Sequence, residues 1–251
     1  MEARPYRTIA VDVADGVCTV TLRIPERKNP LGPLMVNELL YALDDAKAEP
    51  EVRVVVLTGA GAAFSAGGDL KQMSGGGDEP ELEPKGDYAD LLLRFTTLGK
   101  PTIARVNGVA MGGGLGLVAS CDFALAAESA VLGTPEIRRG LFPMTIMAVL
   151  QRILSRRHLL EMMLLGEKMS ARDAASIGLV NRAVPDERLD EEVAALAGRL
   201  AALSPTALRM GLEAYHHQAD LALAEALPHL QSQLFAILGT EDAREGLAAF
   251  L

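Results

Sequence analysis

One glycine-rich stretch constrains the backbone of this chain more than any other: "AMGGGLGLVASCD", from Ala110 to Asp122. Four of its first seven residues are glycine, and an apolar, helix-like run follows directly. Glycine in a helix interior costs about 0.5–1 kcal/mol relative to alanine. The glycines therefore indicate a tight turn at the start of a helix, where another group approaches the backbone closely.

The first 143 residues alternate strand and helix patterns, which predicts an α/β fold. Tyr6 to Ile24 predicts a hairpin with its turn at Asp15-Gly16. Residues 34–48 carry one apolar stripe at helical spacing, and residues 52–59 form a continuous β-branched run typical of a strand buried on both faces. One further strand is predicted over 101–108 and another over 123–133.

Helical patterns continue from Pro143 to the end of the chain. Within them, Ser170 and Asp173 predict a capping box at a helix start. Between residues 74 and 87, a run rich in glycine, proline and acidic residues predicts a surface loop. The sequence thus predicts an α/β core followed by a helical C-terminal region.

Charge and hydropathy argue against two classes of partner. The 251 residues include 24 basic and 33 acidic side chains, a net charge of −9, and no basic cluster, which disfavours nucleic acid binding. No apolar run reaches the roughly 18–20 residues that a membrane span needs, and the first residues lack a signal-peptide core. We expect a cytoplasmic protein with neither a nucleic acid nor a membrane partner.

Two segments pass from a strand through glycines into a helix, 54–70 and 103–120, and such turns present N–H groups to an anion. A dinucleotide phosphate is one candidate, but "GAGAAF" has Phe64 in place of the third glycine, and no Tyr-x-x-x-Lys pair exists. The other candidate is an oxyanion, which needs two N–H donors from two backbone segments.

The full set of motifs closely resembles the crotonase (enoyl-CoA hydratase/isomerase) superfamily. Six blocks follow one another in the order that is typical of the family and cover nearly the whole chain. They are "VTLRIPERKNPL", "AFSAGGDLK", "KPTIARVNGVAMGGGLGLVASCDFALA", "LGTPEIRRGLFP", "LLGEKMSARDAASIGLVNRAVP" and "EDAREGLAAFL".

The resemblance implies an α/β fold of the crotonase-like (ClpP/crotonase) type, a spiral of ββα units. It implies a spiral core over residues 1–190 and a C-terminal helical trimerisation region over 191–251. The family works on coenzyme A thioesters as trimers or paired trimers, so we expect an acyl-CoA substrate and a homotrimer or dimer of trimers. It implies no metal ion and no cofactor beyond the coenzyme A of the thioester.

Motif positions assign roles to the glycines. The residue after the "AG" of "SAG" donates one N–H in this family, and here it is Gly68. The middle glycine of the triplet, Gly113, donates the other. Gly112 and Gly114 would then let the chain turn tightly and bring backbone against the thioester oxygen.

Hydratases of the family use two glutamates. Glu136, in "GTPEIRRG", matches the second, whereas Gly116 stands at the position of the first, where its hydrogen side chain leaves a vacancy. The resemblance implies that Glu136 is acid and base on its own, with a pKa raised by burial. Thr134, Pro135 and Glu136 also fit a plain helix start with a first-turn acid.

This inventory favours a proton shift between carbons through an enolate over efficient hydration, because hydration normally needs a second acid to hold water. Slow hydration, decarboxylation of a malonyl-type thioester and other carbon-skeleton chemistry stay open, as does a non-catalytic homologue that binds acyl-CoA. Further substrate contacts are expected from Arg27, Lys28, Ala66, Leu70, Lys71, Gly112, Gly116, Leu141, Phe142 and Met144.

Overall fold

A β-hairpin opens the larger of two sheets. Its strands, β1 (Ile9–Ala14) and β2 (Val17–Leu22), pair antiparallel. The backbone is left-handed at Asp15 and Gly16, which confirms the predicted turn. The computed structural model describes residues 4–69, 72 and 82–250.

Three pairs of strands then wind the chain as a spiral. The first strand of each pair joins a six-stranded sheet and the second joins a four-stranded sheet, so that each turn adds one strand to both. The added strands run parallel to one another within each sheet, which confirms the predicted crotonase-like α/β spiral. The pairs are β3 (Val54–Gly59) with β4 (Ala63–Ser65), β5 (Thr102–Val106) with β6 (Val109–Met111), and β7 (Phe123–Ala127) with β8 (Val131–Gly133).

Two expectations about strands were wrong. The single strand predicted over 123–133 is two strands, β7 and β8, in different sheets. The region after Pro143 is not helical throughout, since β9 (Lys168–Ser170) pairs antiparallel with β8 and β10 (Arg182–Val184) pairs parallel with β7. Strands of three residues are too short to show an alternation of apolar and polar side chains. They are recognised as strands only by their hydrogen bonds to a neighbouring strand.

Helices cover the sheets and form the C-terminal region. The six-residue helix that starts after Ser170 has one half of the predicted capping box, since the Ser170 hydroxyl accepts the Asp173 N–H at 3.1 Å. The Asp173 carboxylate accepts the Ser170 hydroxyl at 2.6 Å. The helices of the described residues are α1 (Pro33–Ala48), α2 (Tyr88–Thr96), α3 (Gly113–Ser120), α4 (Met144–Leu150), α5 (Arg156–Leu165), α6 (Ala171–Ser176), α7 (Leu189–Ala201), α8 (Pro205–Gln218), α9 (Leu223–Leu238) and α10 (Glu241–Phe250).

The last helices differ in how much they bury. Helix α7 buries four residues and packs on the six-stranded sheet, whereas α8 and α9 bury one alanine each. Large apolar side chains there are exposed, among them Leu223, Phe235 and Phe250. The division at residues 190 and 191 and the assembly of this region stay predictions. Within the described ranges, no helix is both long and apolar enough to cross a bilayer.

Candidate active site

The first glycine turn is joined by backbone hydrogen bonds to the segment after β2. The N–H of Ala66 donates to the carbonyl of Lys28 at 2.8 Å, and Leu31 bonds both to the Gly67 carbonyl and to the Asp69 N–H, at 2.8 and 2.9 Å. Leu31 therefore pairs with Gly68 as in a parallel sheet, because it bonds to the residue before Gly68 and to the residue after it. In this parallel pairing the N–H of Gly68 points away from Leu31.

The side chain and the carbonyl of Asn29 hold this turn by hydrogen bonds. The residue is buried, with left-handed backbone, and its amide donates to the carbonyls of Ala63 and Phe64 at 2.8 and 3.2 Å. Its own carbonyl accepts the hydroxyl of Ser65 at 2.7 Å, and that hydroxyl accepts the N–H of Gly67 at 3.1 Å. These bonds hold the loop that carries Gly68 without covering its N–H.

The second turn is the glycine triplet between β6 and α3, where Gly112 has a φ of 50° that only glycine adopts freely. A Cβ on Gly67 would lie 2.7 Å from the Met111 carbonyl and 3.3 Å from the Gly113 nitrogen, so the two turns touch here. A Cβ on Gly114 would lie 2.7 Å from Ser65. Gly114 therefore allows the helix start to lie close against Ser65, whereas the expected approach of this backbone to a thioester oxygen stays a prediction.

Glu136 lies next to this turn, in a short 3₁₀ helix that follows Thr134. Its Oε1 lies 2.6 Å from the point where a Cβ on Gly112 would stand. Its Oε2 is buried and has no hydrogen-bond partner among the described residues. Burial raises the pKa of this carboxyl, as predicted, against a smaller lowering by a backbone hydrogen bond and by Arg139.

A cleft brings several predicted residues together. Gly68, Gly112 and Glu136 all line it, so a carboxylate shares the cleft with the exposed backbone of Gly68. Such a site can polarise a carbonyl with N–H donors while a half-buried carboxylate moves a proton. The lining residues are Ala66, Gly67, Gly68, Gly112, Pro135, Glu136, Arg139 and Leu141.

Other predicted residues lie elsewhere. Gly113 begins α3 next to the cleft without lining it. Arg27 donates to the buried Asp69 carboxylate at 2.7 Å, and the side chain of Lys28 is exposed. Phe142 packs against the core, whereas Met144 is 66% exposed. Leu70 and Lys71 lie outside the described residues.

The vacancy expected beside Gly116 does not exist. A Cβ at this position would overlap both the Cγ2 atom of Ile146 and the hydroxyl oxygen of Tyr88. Gly116 is therefore required by packing, and a longer side chain there has no room. The prediction of a vacancy beside Gly116 was wrong because it did not include Tyr88 from α2 and Ile146 from α4, which fill that space.

Tyr88 is the residue that the sequence did not reveal. Its hydroxyl donates to the carbonyl of Gly113 at 2.5 Å. Burial, together with the negative charge of Glu136, raises the pKa of this phenol above its usual range. The nearest signal in the sequence was Asp87 followed by Asp90, which together cap the helix that Tyr88 begins.

Comparisons with known proteins agree with this geometry. A family model described as "Enoyl-CoA hydratase/isomerase" matches residues 12–251. A protein of Thermus thermophilus, provisionally named an enoyl-CoA hydratase, is 38% identical over 93% of this chain and 94% of its own length. The rat protein named enoyl-CoA hydratase domain-containing protein 3, mitochondrial, is 32% identical over 94% of this chain and 79% of its own length.

Solved structures give the same result. The enoyl-CoA hydratase of Mycobacterium smegmatis superposes with a TM-score of 0.90 at 34% identity, covering 97% of this chain and 96% of that one. Since the family model spans nearly the whole chain and the spiral matches, the chain belongs to the crotonase superfamily, in the enoyl-CoA hydratase/isomerase family.

Proposed function

We propose that this protein isomerises 3-enoyl-CoA thioesters to 2-enoyl-CoA thioesters with a single carboxylate. The observation that carries the proposal is the position of Glu136, which lines the same cleft as Gly68 and Gly112 and whose Oε2 is buried without a hydrogen-bond partner among the described residues. A base for a carbon-bound proton has to lie beside the substrate and cannot be committed to another hydrogen-bond donor.

The proposed reaction has two proton transfers. The N–H groups of Gly68 and Gly113 hold the thioester oxygen, and the Glu136 carboxylate removes a proton from the α-carbon. The electron pair of that C–H bond delocalises into a dienolate whose oxygen the two N–H groups stabilise. The Glu136 carboxylic acid then returns the proton to the γ-carbon, which moves the double bond into conjugation with the thioester.

The filled space beside Gly116 supports isomerisation over hydration. Hydration normally needs a second acid to hold and polarise water, and Tyr88 and Ile146 occupy the place where a side chain from position 116 would stand. Tyr88 is neutral there, since a phenol with the ordinary pKa of 10.0 is already protonated at physiological pH and burial raises that pKa further. Glu136 therefore has no second carboxylate partner from position 116.

Residues in and near the cleft are proposed to bind the substrate. The backbone at Ala66, the apolar side chain of Leu141 and the exposed Lys28 are proposed to contact the acyl-CoA. The exposed apolar side chains of α8 to α10 are proposed to pack in a homotrimer or dimer of trimers, since large exposed apolar patches mark interfaces.

The experiment supplies the purified protein with 3-hexenoyl-CoA and, separately, with 2-hexenoyl-CoA. Conjugated 2-enoyl thioester is followed by its absorbance, and addition of water by mass. We expect isomerisation to exceed hydration by roughly 10²-fold or more, the range that one acid–base group supplies. Faster hydration would contradict the proposal, and tight binding without turnover would favour a non-catalytic acyl-CoA-binding homologue.

A further inference from the structure

We infer that Tyr88 is a positioning residue, which holds the first turn of α3 so that the N–H of Gly113 faces the substrate oxygen. The inference rests on the proposed function in one respect, namely that Gly113 donates to the thioester. Nothing in the sequence motifs assigns a role to Tyr88, and the contacts around its hydroxyl carry the argument.

The tyrosine lies along the first turn of the helix. Its hydroxyl donates to the Gly113 carbonyl at 2.5 Å, across 25 residues of sequence. A Cβ on Gly113 would stand 3.5 Å from both Cζ and the hydroxyl oxygen, and the same oxygen fills the space beside Gly116. The ring therefore covers one side of the turn, from Gly113 to Gly116.

The turn needs such support because Gly112, Gly113 and Gly114 follow one another, and glycine has the greatest backbone freedom of any residue. Two backbone hydrogen bonds fix its ends, from the Gly112 N–H to the Gly133 carbonyl and from the Gly116 N–H to the Gly112 carbonyl, both at 3.0 Å. In the described part of the chain, Tyr88 supplies the side-chain hydrogen bond to Gly113.

Tyr88 is itself held in place. Asp87 and Asp90 form a reciprocal capping box around the first turn of α2. The buried Asn37 side chain on α1 accepts the N–H of Lys85 at 2.7 Å, and the Lys85 ammonium pairs with Asp44 at 2.5 Å. The segment before Tyr88 is thus anchored to α1, and a tyrosine at the start of an anchored helix can hold a flexible turn.

The protonation state suits a positioning role. Burial and the nearby Glu136 carboxylate raise the pKa of Tyr88, so the phenol remains a hydrogen-bond donor throughout the working range of pH. A group that does not titrate leaves the pH dependence of catalysis unchanged. It affects instead the rate at which a bound substrate reacts.

The test compares Tyr88→Phe with Tyr6→Phe. The first variant keeps the ring that fills the space beside Gly116 and removes only the hydroxyl. Tyr6 is the matched control, since it is also half-buried and its hydroxyl bonds to Asp45 at 3.4 Å, in a contact with α1 instead of with the cleft. Melting temperatures establish that both variants are folded.

Two readouts are used: isomerase kinetics, and the absorbance of bound 2,4-hexadienoyl-CoA, whose red shift reports how strongly N–H donors polarise the thioester carbonyl. For Tyr88→Phe we expect kcat to fall about 2- to 10-fold, the equivalent of one net hydrogen bond. We also expect a smaller red shift, a KM within about twofold of the wild type and an unchanged acid limb of the pH profile. Tyr6→Phe should match the wild type in every readout.

The absorbance readout separates this inference from the proposed function. A wild-type red shift that decreases in Tyr88→Phe supports the inference even if no isomerisation is found. A red shift unchanged by the substitution, or absent from the wild type, overturns it even if the protein proves to be an isomerase.

Discussion

The Oε1 atom of Glu136 lies 2.6 Å from the point where a Cβ on Gly112 would stand. The two residues come from different turns of the spiral, Gly112 from the end of β6 and Glu136 from the 3₁₀ helix after β8. The absence of a side chain at Gly112 therefore leaves room for the Glu136 carboxylate and also allows the tight turn. Any side chain at 112 displaces the proposed base.

Gly112→Ala is expected to damage both catalysis and stability. Its Cβ would push the carboxylate aside, and a misplacement of this kind costs about 10²-fold in rate. The φ of 50° adds strain of about 1–3 kcal/mol for a residue with a side chain. Kinetics and urea unfolding measure the two effects.

The control for this variant is Gly211→Ala on α8. A Cβ there meets no described atom within 4 Å, so the substitution should raise stability by about 0.5–1 kcal/mol and leave the rate unchanged. If Gly112→Ala behaved like Gly211→Ala, the contact between Gly112 and Glu136 would not be functional.

Gly116→Glu is expected to destabilise the fold without creating a hydratase. The new side chain would overlap Tyr88 and Ile146, and overpacking of a core costs about 1–3 kcal/mol. The measurement is the unfolding free energy together with hydration of 2-hexenoyl-CoA. A stable variant with faster hydration would show that the space beside Gly116 is open after all.

Glu136→Gln is expected to stabilise the protein in a pH-dependent way. Because burial raises the pKa of the folded state, the wild type keeps its full stability below the unfolded value of 4.5 and loses part of it as pH rises through the raised pKa. The glutamine variant has no such loss. The difference in melting temperature should therefore be near zero at pH 4 and grow towards pH 8. A difference that does not change with pH would argue against a raised pKa.

Arg27→Met tests whether this arginine binds the nucleotide or supports the loop. Asp69 is buried, with a side chain only 3% exposed, and losing this ion pair should cost about 1–3 kcal/mol of stability. Asp69 follows Gly68, so we expect turnover of acyl-CoA and of the shorter acyl-pantetheine to fall equally. A loss confined to acyl-CoA would assign Arg27 to the phosphates.

The sequence predicted those parts of the site that depend on backbone and on short motifs. Gly68, Gly112 and Glu136 could be placed because each lies in a motif with a fixed relation to a turn, and the structure brings them to one cleft. The hairpin at Asp15-Gly16 and the long helix α1 have strong local patterns, and both are present.

The parts that were missed depend on contacts between distant segments. Tyr88 on α2 meets Gly113 on α3 across 25 residues of sequence, and no local pattern encodes that contact. The space beside Gly116 was judged from one residue, whereas its content is decided by Tyr88 and Ile146. Strands β9 and β10 have three residues each and are defined by their partners.

The most direct test of the central claim is the turnover of 3-hexenoyl-CoA by Glu136→Gln, beside the wild type and the control Glu161→Gln, whose side chain is exposed on α5. One-carboxylate isomerisation predicts a loss of roughly 10²–10⁴-fold in kcat for Glu136→Gln and none for the control. Equal isomerase activity in the wild type and Glu136→Gln would contradict the account.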